Sequence, residues 1–404
     1  AAALSVVDSY LLRLLSVGGC YAIAAIGYQR LFGELGVLSL AQGAFFAVGG
    51  YAIAILGLQT GADGVPLLLA AMALAGLLAL SVAPAMLKLA SHYFALASLA
   101  AAQLVLLAAV NLESLTGGAN GLSELPPLGL AGLEVPPGPG LAATIGVAVA
   151  LCAGAYWLSG PLAGLRRHVL REAPLAAEAL GLDTARWRLS AFVFAAACGG
   201  LGGALHVQAS GVVAPDIAEL AIMVNILALT VIGGRGRVSG AIVGALILAF
   251  LPETLRFLGG WQLFAWGAAM LVMLIVAPGG LVGLIERVAV RLLPPSARSD
   301  VAISRAAVVA TGPLRAETLS KSFGGVRALD GASLEIRPGE IVGLAGANGA
   351  GKTTLLNLLS GFERAGGGSI AWQGTDIGAM PVHPRARPGI GRGFQIYQLP
   401  AGVT

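Results

Sequence analysis

The chain has 404 residues, 57% of them hydrophobic and only 11% charged, with 24 Lys/Arg against 20 Asp/Glu for a net charge of +4. Proteins dissolved in water carry roughly a quarter charged residues, so composition excludes an ordinary soluble protein and points to a membrane domain, with length enough for two or three domains. The charge is also uneven: residues 1–293 hold 13 Lys/Arg and 13 Asp/Glu, residues 294–404 hold 11 and 7. The excess positive charge therefore belongs to the C-terminal part, and no basic run interleaved with aromatics suggests nucleic acid as a partner.

A helix crossing a bilayer needs about 20 mostly apolar residues. Stretches of that kind run over 10–32, 37–58, 66–87, 92–111, 141–159, 189–208, 218–233, 238–255 and 261–284. They predict a polytopic α-helical membrane domain over 1–293 with about nine spans, the seventh short and 37–58 partly re-entrant. Alternation places Arg30, Lys88, Arg166, Arg167, Arg171, Arg186, Arg188, Arg235, Arg237, Arg287 and Arg291 on one side, and only Arg13 and Arg256 on the other. A split of eleven against two sets the first group inside. The surrounding partner is then membrane lipid, and the first group faces the cytoplasm.

The outer connection 112–140 holds Gly117-Gly-Ala-Asn-Gly121 and Pro-rich pieces, and reads equally as a docking or gating element and as a solvated spacer. Cys20, Cys152 and Cys198 lie in apolar stretches without metal-ligand spacing, as buried small hydrophobes. Gly199-Gly-Leu-Gly-Gly203 and the Gly240/Gly244 pair allow close helix approach. Gln42, Gln103, His206, Gln208 and Asn225 are costly at membrane depth, and are candidates either for a solute path or for interhelical hydrogen bonds. Residues 166–183 form a polar interruption on the inner side. Pro174 suits the first turn of a short helix and Gly181 its stop; a helix lying on the membrane surface is the plain account, and a knob offered to a soluble partner the better one.

Residues 294–313 read as a linker, and 314–404 as a separate α/β domain. Leu314–Leu319 and Ala332–Ile336 alternate as half-buried strands, and Arg337-Pro-Gly-Glu340 after them is a turn. Gly346-Ala-Asn-Gly-Ala-Gly-Lys-Thr-Thr354 then carries the spacing G-x-x-x-x-G-K-[ST]. Ile341–Ala345 before it predicts a short buried strand, and Thr354–Ser360 after it a helix stopped by Gly361. Backbone N–H groups through Gly346, Asn348, Gly349, Ala350 and Gly351 would curl around phosphate, with Thr354 in the helix whose N-terminus adds its positive end. Lys352 would reach the outer phosphates of ATP, and the Thr353 hydroxyl would ligate Mg²⁺.

Phe323-Gly-Gly-Val-Arg-Ala-Leu-Asp330, Arg337-Pro-Gly-Glu340, the phosphate loop and Gly389-Ile-Gly-Arg-Gly-Phe-Gln395 together resemble the opening of an ABC transporter ATPase, most closely the ATP-binding subunit of branched-chain amino-acid importers. The membrane half resembles the matching permease subunit. The stretches that carry it are 33–51, Thr116-Gly-Gly-Ala-Asn-Gly-Leu122, Ala177-Glu-Ala-Leu-Gly-Leu182 and Val231-Ile-Gly-Gly-Arg-Gly-Arg-Val-Ser-Gly-Ala241. By that resemblance Phe323 would stack on adenine, Gln395 would sense the γ-phosphate and Mg²⁺, and Glu178–Leu182 would be a coupling helix. Ala347 stands where the family has Pro, and Gly393 where it has Thr before Phe-Gln. Walker B carboxylates, a catalytic Glu, a signature sequence and a switch His are not found up to Thr404. The ATPase domain therefore reads as truncated, a fragment of a permease–ATPase fusion that alone would bind nucleotide poorly and not hydrolyse it.

The resemblance implies an importer of branched-chain or related amino acids. It would work with a second permease subunit, a second ABC ATPase subunit and a periplasmic or extracellular solute-binding protein. Urea or amides are alternative solutes. An exporter half, with six spans and long helical extensions, fits the span pattern poorly. A membrane-anchored nucleotide-dependent regulator is the alternative from another class, and would need neither a polar path nor an external partner.

Overall fold

The computed structural model describes residues 2–61, 64–89, 91–130, 133–135, 138–158, 169–277, 279–292, 312–386 and 388–394. The chain divides into two compact units, one of Ala1–Gly164 with Ala185–Ser296, the other of Leu165–Thr184 with Ala297–Thr404.

The first unit is helical. Its long helices are α1 (Ala2–Tyr28), α2 (Gln42–Thr60), α3 (Val65–Met86), α4 (Ser91–Asn111), α6 (Pro139–Trp157) and α8 (Thr184–Ser210), with the short α5 (Glu113–Thr116) after α4. α9 (Leu220–Gly233), α10 (Val238–Thr254), α11 (Gln262–Val276) and α12 (Gly280–Leu292) follow α8. Between α6 and α8 the second unit contributes α7 (Pro174–Ala179). Among the described residues six helices are long and apolar enough to cross a membrane, and α9 and α10 are apolar but shorter. The ninth predicted stretch is divided, because α11 stops at Val276 and α12 begins at Gly280. Gly280 has φ +72° and a backbone pressed so closely on Gly234 that a Cβ would collide with it. The stretch predicted over 37–58 becomes helical only from Gln42.

These helices pack with small residues inward. In α3 the buried positions are Leu67, Ala71, Ala75, Gly76, Ala79, Ala83 and Met86, one stripe at helical spacing, while Leu69, Leu74, Leu77 and Leu80 face out. A bilayer gives large apolar side chains no reason to turn inward, so close packing of backbones decides which face is buried. Trp157 and Trp261 are exposed at helix ends, where amphipathic rings suit a membrane interface.

The tightest seam joins α2 and α8. A Cβ on Gly49 would overlap the Gly200 carbonyl, and one on Gly203 the carbonyl of Phe46. Gly203→Val is expected to cost at least about 3 kcal/mol, the range of severe overpacking. Size-exclusion profiles of the purified variant should show loss of the monodisperse peak, and an unchanged profile and melting temperature would contradict this packing.

Six residues after Tyr28, Gln29–Glu34, continue α1 as a wider π turn. It delivers the fully buried Gln29 to the loop between α9 and α10. Gln29 Nε2 donates to Gly234 O at 2.8 Å and Thr230 O at 3.4 Å, and its Oε1 accepts from Gly236 N–H at 2.6 Å. Tyr156 Oη donates to Gly236 O at 3.1 Å from the other flank. Arg237 pairs with Glu286 of α12 at 2.5 Å. Replacing Gln29 by Leu would strand these loop groups and is expected to lower stability by about 1–3 kcal/mol. The check is a thermal shift in detergent, with no shift as the contrary result.

The second unit carries a sheet of β3 (Leu314–Phe323), β4 (Val326–Ile336), β5 (Gly367–Trp372) and β6 (Thr375–Asp376), in the order β4-β3-β5-β6 and antiparallel throughout. The two-residue strands β1 (Gly129–Leu130) and β2 (Leu133–Glu134) pair within the 112–140 connection of the first unit. β3 does not alternate as predicted. A register shift between Ala316 and Leu319, with Thr318 at φ +49°, turns both of those residues into the core. They pack with Ile370, Ile377 and the apolar face of α13 (Lys352–Ser360), namely Leu355, Leu358 and Leu359.

The C-terminal end of α13 is held by Arg385 of α14 (Val382–Ala386), 1% exposed. Its Nη1 donates to Leu358 O at 2.7 Å and Leu359 O at 2.9 Å, its Nη2 to Gly378 O at 3.0 Å and its Nε to Met380 O at 2.7 Å. A cation is favoured at that end of a helix, where carbonyls lack partners. Burial pulls the guanidinium pKa below its usual value while Asp376 pulls it back up.

Within the same unit α7 packs on α14. Asp183 lies 3.4 Å from His383 Nε2, and Thr184 Oγ1 donates to Glu178 Oε1. The predicted knob is thus a short helix in the compact unit that holds the phosphate loop. Of the linker 294–313, all but the last two residues lie outside the described residues, as do Arg166 and Arg167.

Candidate nucleotide site and solute path

Residues 341–345 correct one expectation. They are not a strand, and Ile341 is 98% exposed. A strand exists only when a neighbour takes up its N–H and C=O groups, and among the described residues none lies beside this run. The loop and helix after it do form as the spacing predicts. Gly349 (φ +86°) and Gly351 (φ +80°) adopt the left-handed turns that the loop requires, and Gly351 caps α13. The Gly351 backbone rests on Ala328 and Leu329 of β4. Ala350 N–H donates to Ala347 O at 3.2 Å, and Leu355 N–H to Gly351 O at 2.9 Å, so the amides of the first turn are left without an intrahelical acceptor. α13 ends at Gly361, φ +85°, as predicted.

Lys352 Nζ curls back over the loop and donates to Gly346 O and Ala347 O, each at 2.7 Å. Asn348, Gly349 and Ala350 are exposed on the crest, Thr353 is exposed in the first turn, and Thr354 is half-buried. The result is a short curved row of backbone donors, an ammonium held above it and a hydroxyl beside it. That donor set fits a polyphosphate, and its one described oxygen ligand for a divalent cation is Thr353.

Phe323 stands at the tip of the β3–β4 hairpin, 46% exposed, with Lys321 Nζ 5.0 Å from its ring centroid. The Lys321 ammonium thus lies over the ring of a half-exposed side chain. Gln395 lies outside the described residues, but the segment leading to it is held. Arg392 Nη1 donates to Asn357 Oδ1 at 2.6 Å and to Ser360 Oγ at 3.0 Å on α13, and its guanidinium lies 5.1 Å and 5.4 Å from the rings of Phe362 and Phe394. Gly391–Phe394 and Thr353 consequently line one groove of about 610 Å³. Arg385 and Arg392 went unnoticed in the sequence. Arg392 sits inside the very motif that singled out Gln395, but nothing in the spelling says that it clamps the segment.

In the membrane unit the five polar candidates separate. Gln42 is fully buried and donates to Ala195 O at 2.8 Å and Ala24 O at 3.2 Å, which makes it an interhelical tie. Gln103 is exposed on α4, and Gln208 is half-buried. His206 packs among Tyr21 and Phe46, with ring centroids 5.8 Å and 5.4 Å away. Asn225 lines a cavity of about 490 Å³ between α1, α9, α10 and α11. The three cysteines are buried thiols, as expected, Cys152 and Cys198 lying 4.0 Å apart.

Comparison with known proteins accounts for both halves. The family described as "Branched-chain amino acid transport system / permease component" matches residues 10–278, and the ABC transporter family matches residues 329–404. The chain is 30% identical over 289 residues to the high-affinity branched-chain amino acid transport system permease protein LivM of Salmonella typhimurium, covering 65% of this chain and 67% of that protein. It is 29% identical over 286 residues to LivM of Escherichia coli, with the same coverage. Its C-terminal part is 44% identical over 85 residues to a probable branched-chain amino acid transport ATP-binding protein LivG of Archaeoglobus fulgidus, covering 21% of this chain and 33% of that protein. The exporter and regulator alternatives gain nothing from these matches. An ABC domain implies ATP binding, and a permease-like set of apolar helices a multi-pass membrane protein. With the membrane unit matched over two thirds of the chain, this polypeptide belongs to the branched-chain amino-acid transport permease family of ABC transporters, and it carries part of an ABC ATPase on the same chain.

Proposed function

We propose that the chain is the permease subunit of an ATP-driven importer of branched-chain amino acids, joined to its own ATPase domain, in a bacterial inner membrane with the nucleotide domain in the cytoplasm. The carrying observation is that α7, inserted between the membrane helices α6 and α8, belongs to the same compact unit as the phosphate loop. Movement of that unit then has a direct mechanical route into the membrane chain. Gly346, Asn348, Gly349, Ala350, Gly351 and Thr354 offer backbone donors to ATP, Lys352 its ammonium, and Phe323 a ring for adenine. Thr353, with Gln395, would hold Mg²⁺, which supplies charge neutralisation across the outer phosphates. A second permease subunit, a second ABC ATPase subunit and a solute-binding protein complete the assembly.

The test is leucine uptake into proteoliposomes by the full-length protein reassembled with these partners. ATP-dependent uptake that rises when the binding protein is added is the expected result. ATP turnover indifferent to every amino acid and to the binding protein would overturn the proposal in favour of a regulator, and uptake of urea or amides alone would overturn the solute class.

A further inference from the structure

Of the two basic residues that break the charge asymmetry of the membrane domain, Arg13 lines a cavity and Arg256 pairs with a carboxylate at its edge. Arg13 lines the space of about 490 Å³ between α1, α9, α10 and α11, and Arg256 Nη1 lies 3.3 Å from Oε1 of Glu253, which lines it too. One stripe of α1 forms a wall, with Tyr10, Arg13, Leu14, Val17 and Tyr21 at helical spacing. At 1.5 Å per residue, Tyr10 to Tyr21 spans roughly 16 Å, about half the hydrocarbon thickness of a bilayer. The cavity therefore runs from the helix end that the Lys/Arg split assigns to the outside towards the midplane. Tyr21 there is buried against Phe46, 5.5 Å between centroids.

The lining divides by chemistry. Arg13 makes no ion pair or hydrogen bond among the described residues, and neither does the Asn225 side chain. Gln262, by contrast, is occupied by the Pro252 carbonyl at 2.7 Å. A guanidinium fork without a carboxylate, a carboxylate on the facing helix that is shared by the Tyr10 hydroxyl and Arg256, and an unused amide surround a wall of Leu14, Val17 and Leu248. We infer that this cavity is the solute's entry site, and that it recognises a zwitterionic α-amino acid with an aliphatic side chain. The Arg13 guanidinium takes the α-carboxylate in the two-pronged geometry that suits it. Glu253 faces the α-ammonium, Asn225 supplies the remaining polar contact, and the apolar wall takes the side chain. This inference rests on the amino-acid importer reading above.

A cysteine placed at 249, which lines the cavity without a role in the proposed binding, reports occupancy. Full-length A249C, assembled with its partners in nanodiscs of phosphatidylglycerol, is labelled with a charged methanethiosulfonate reagent, with the unsubstituted chain as background. Leucine at about ten times its dissociation constant should slow labelling roughly ten-fold. Leucinamide, without the carboxylate, and 4-methylvalerate, without the ammonium, should each leave it unchanged at the same concentration. In the R13Q background the protection by leucine should vanish, and in R13K much of it should return, which separates lost charge from lost folding. Equal protection by leucinamide, or none by leucine while the unsubstituted transporter still takes up leucine, overturns the site and leaves the importer standing. Labelling that is already slow when phosphatidylethanolamine is added to the nanodisc, and insensitive to leucine, assigns the cavity to a lipid headgroup and also overturns it. No uptake of any amino acid by the unsubstituted assembly fells the importer reading and this inference together.

Discussion

Replacing Lys352 by Ala is expected to weaken ATP binding to the full-length protein by about 1.5–3 kcal/mol, roughly ten- to a hundredfold in Kd. Its ammonium is held over the loop by two carbonyls, and both bonds are on the exposed rim, so the fold loses little when they go. The phosphates of a bound nucleotide, in contrast, would lose a charge-assisted donor outright. Titration with a fluorescent ATP analogue separates the two effects: Kd should rise while the melting temperature stays within a degree or two of the unsubstituted protein. An unchanged Kd would remove Lys352 from the nucleotide site, and a large fall in melting temperature would make it a structural residue.

Arg385→Ala carries the opposite signature. Four backbone carbonyls, from Leu358, Leu359, Gly378 and Met380, lose a buried cation at once, and the α13 C-terminus loses its positive counterweight. The expected cost is about 3–5 kcal/mol, the range for removing one partner from a buried charged network. Lys at this position restores charge but not the fork, and should recover less than half of the loss. Protease resistance of the nucleotide unit across a urea series measures the shift. A midpoint unmoved in R385A would mean that water replaces the guanidinium without penalty.

The sequence made the membrane helices visible because a bilayer tolerates few charges and demands length, so 66–87 and 92–111 read as spans on composition alone. Helix count was less visible. The break inside 261–284 carries a local mark in Pro278-Gly279-Gly280, but that it divides the stretch into two helices is fixed by the backbone of Gly280 meeting Gly234. The phosphate loop was legible because glycine is needed at fixed places for fixed φ values, and Gly349 and Gly351 have those values. The strand at 341–345 was misjudged for a related reason: apolar spelling gives a tendency, and only a neighbouring strand makes it real. β3 lost its alternation to a bulge at Thr318. Gln42 illustrates the limit for polar residues in membranes. Nothing in its neighbours distinguishes it from Asn225, yet one has its amide N–H groups taken by carbonyls of α1 and α8, with its buried Oε1 left without a partner among the described residues, and the other opens on a cavity.

The contact between α2 and α8 restricts how the pore can work. Where Gly49 meets Gly200 and Gly203 meets Phe46, main chains interlock like the teeth of two gears stopped against each other. Sliding one helix by a single residue would drive a side chain into a peptide plane. Gly202 abuts Cys20 and Ala24 of α1 in the same way, so these three helices form one rotor. Any stroke that opens one mouth and shuts the other must therefore swing this block whole, and the bending has to occur outside it.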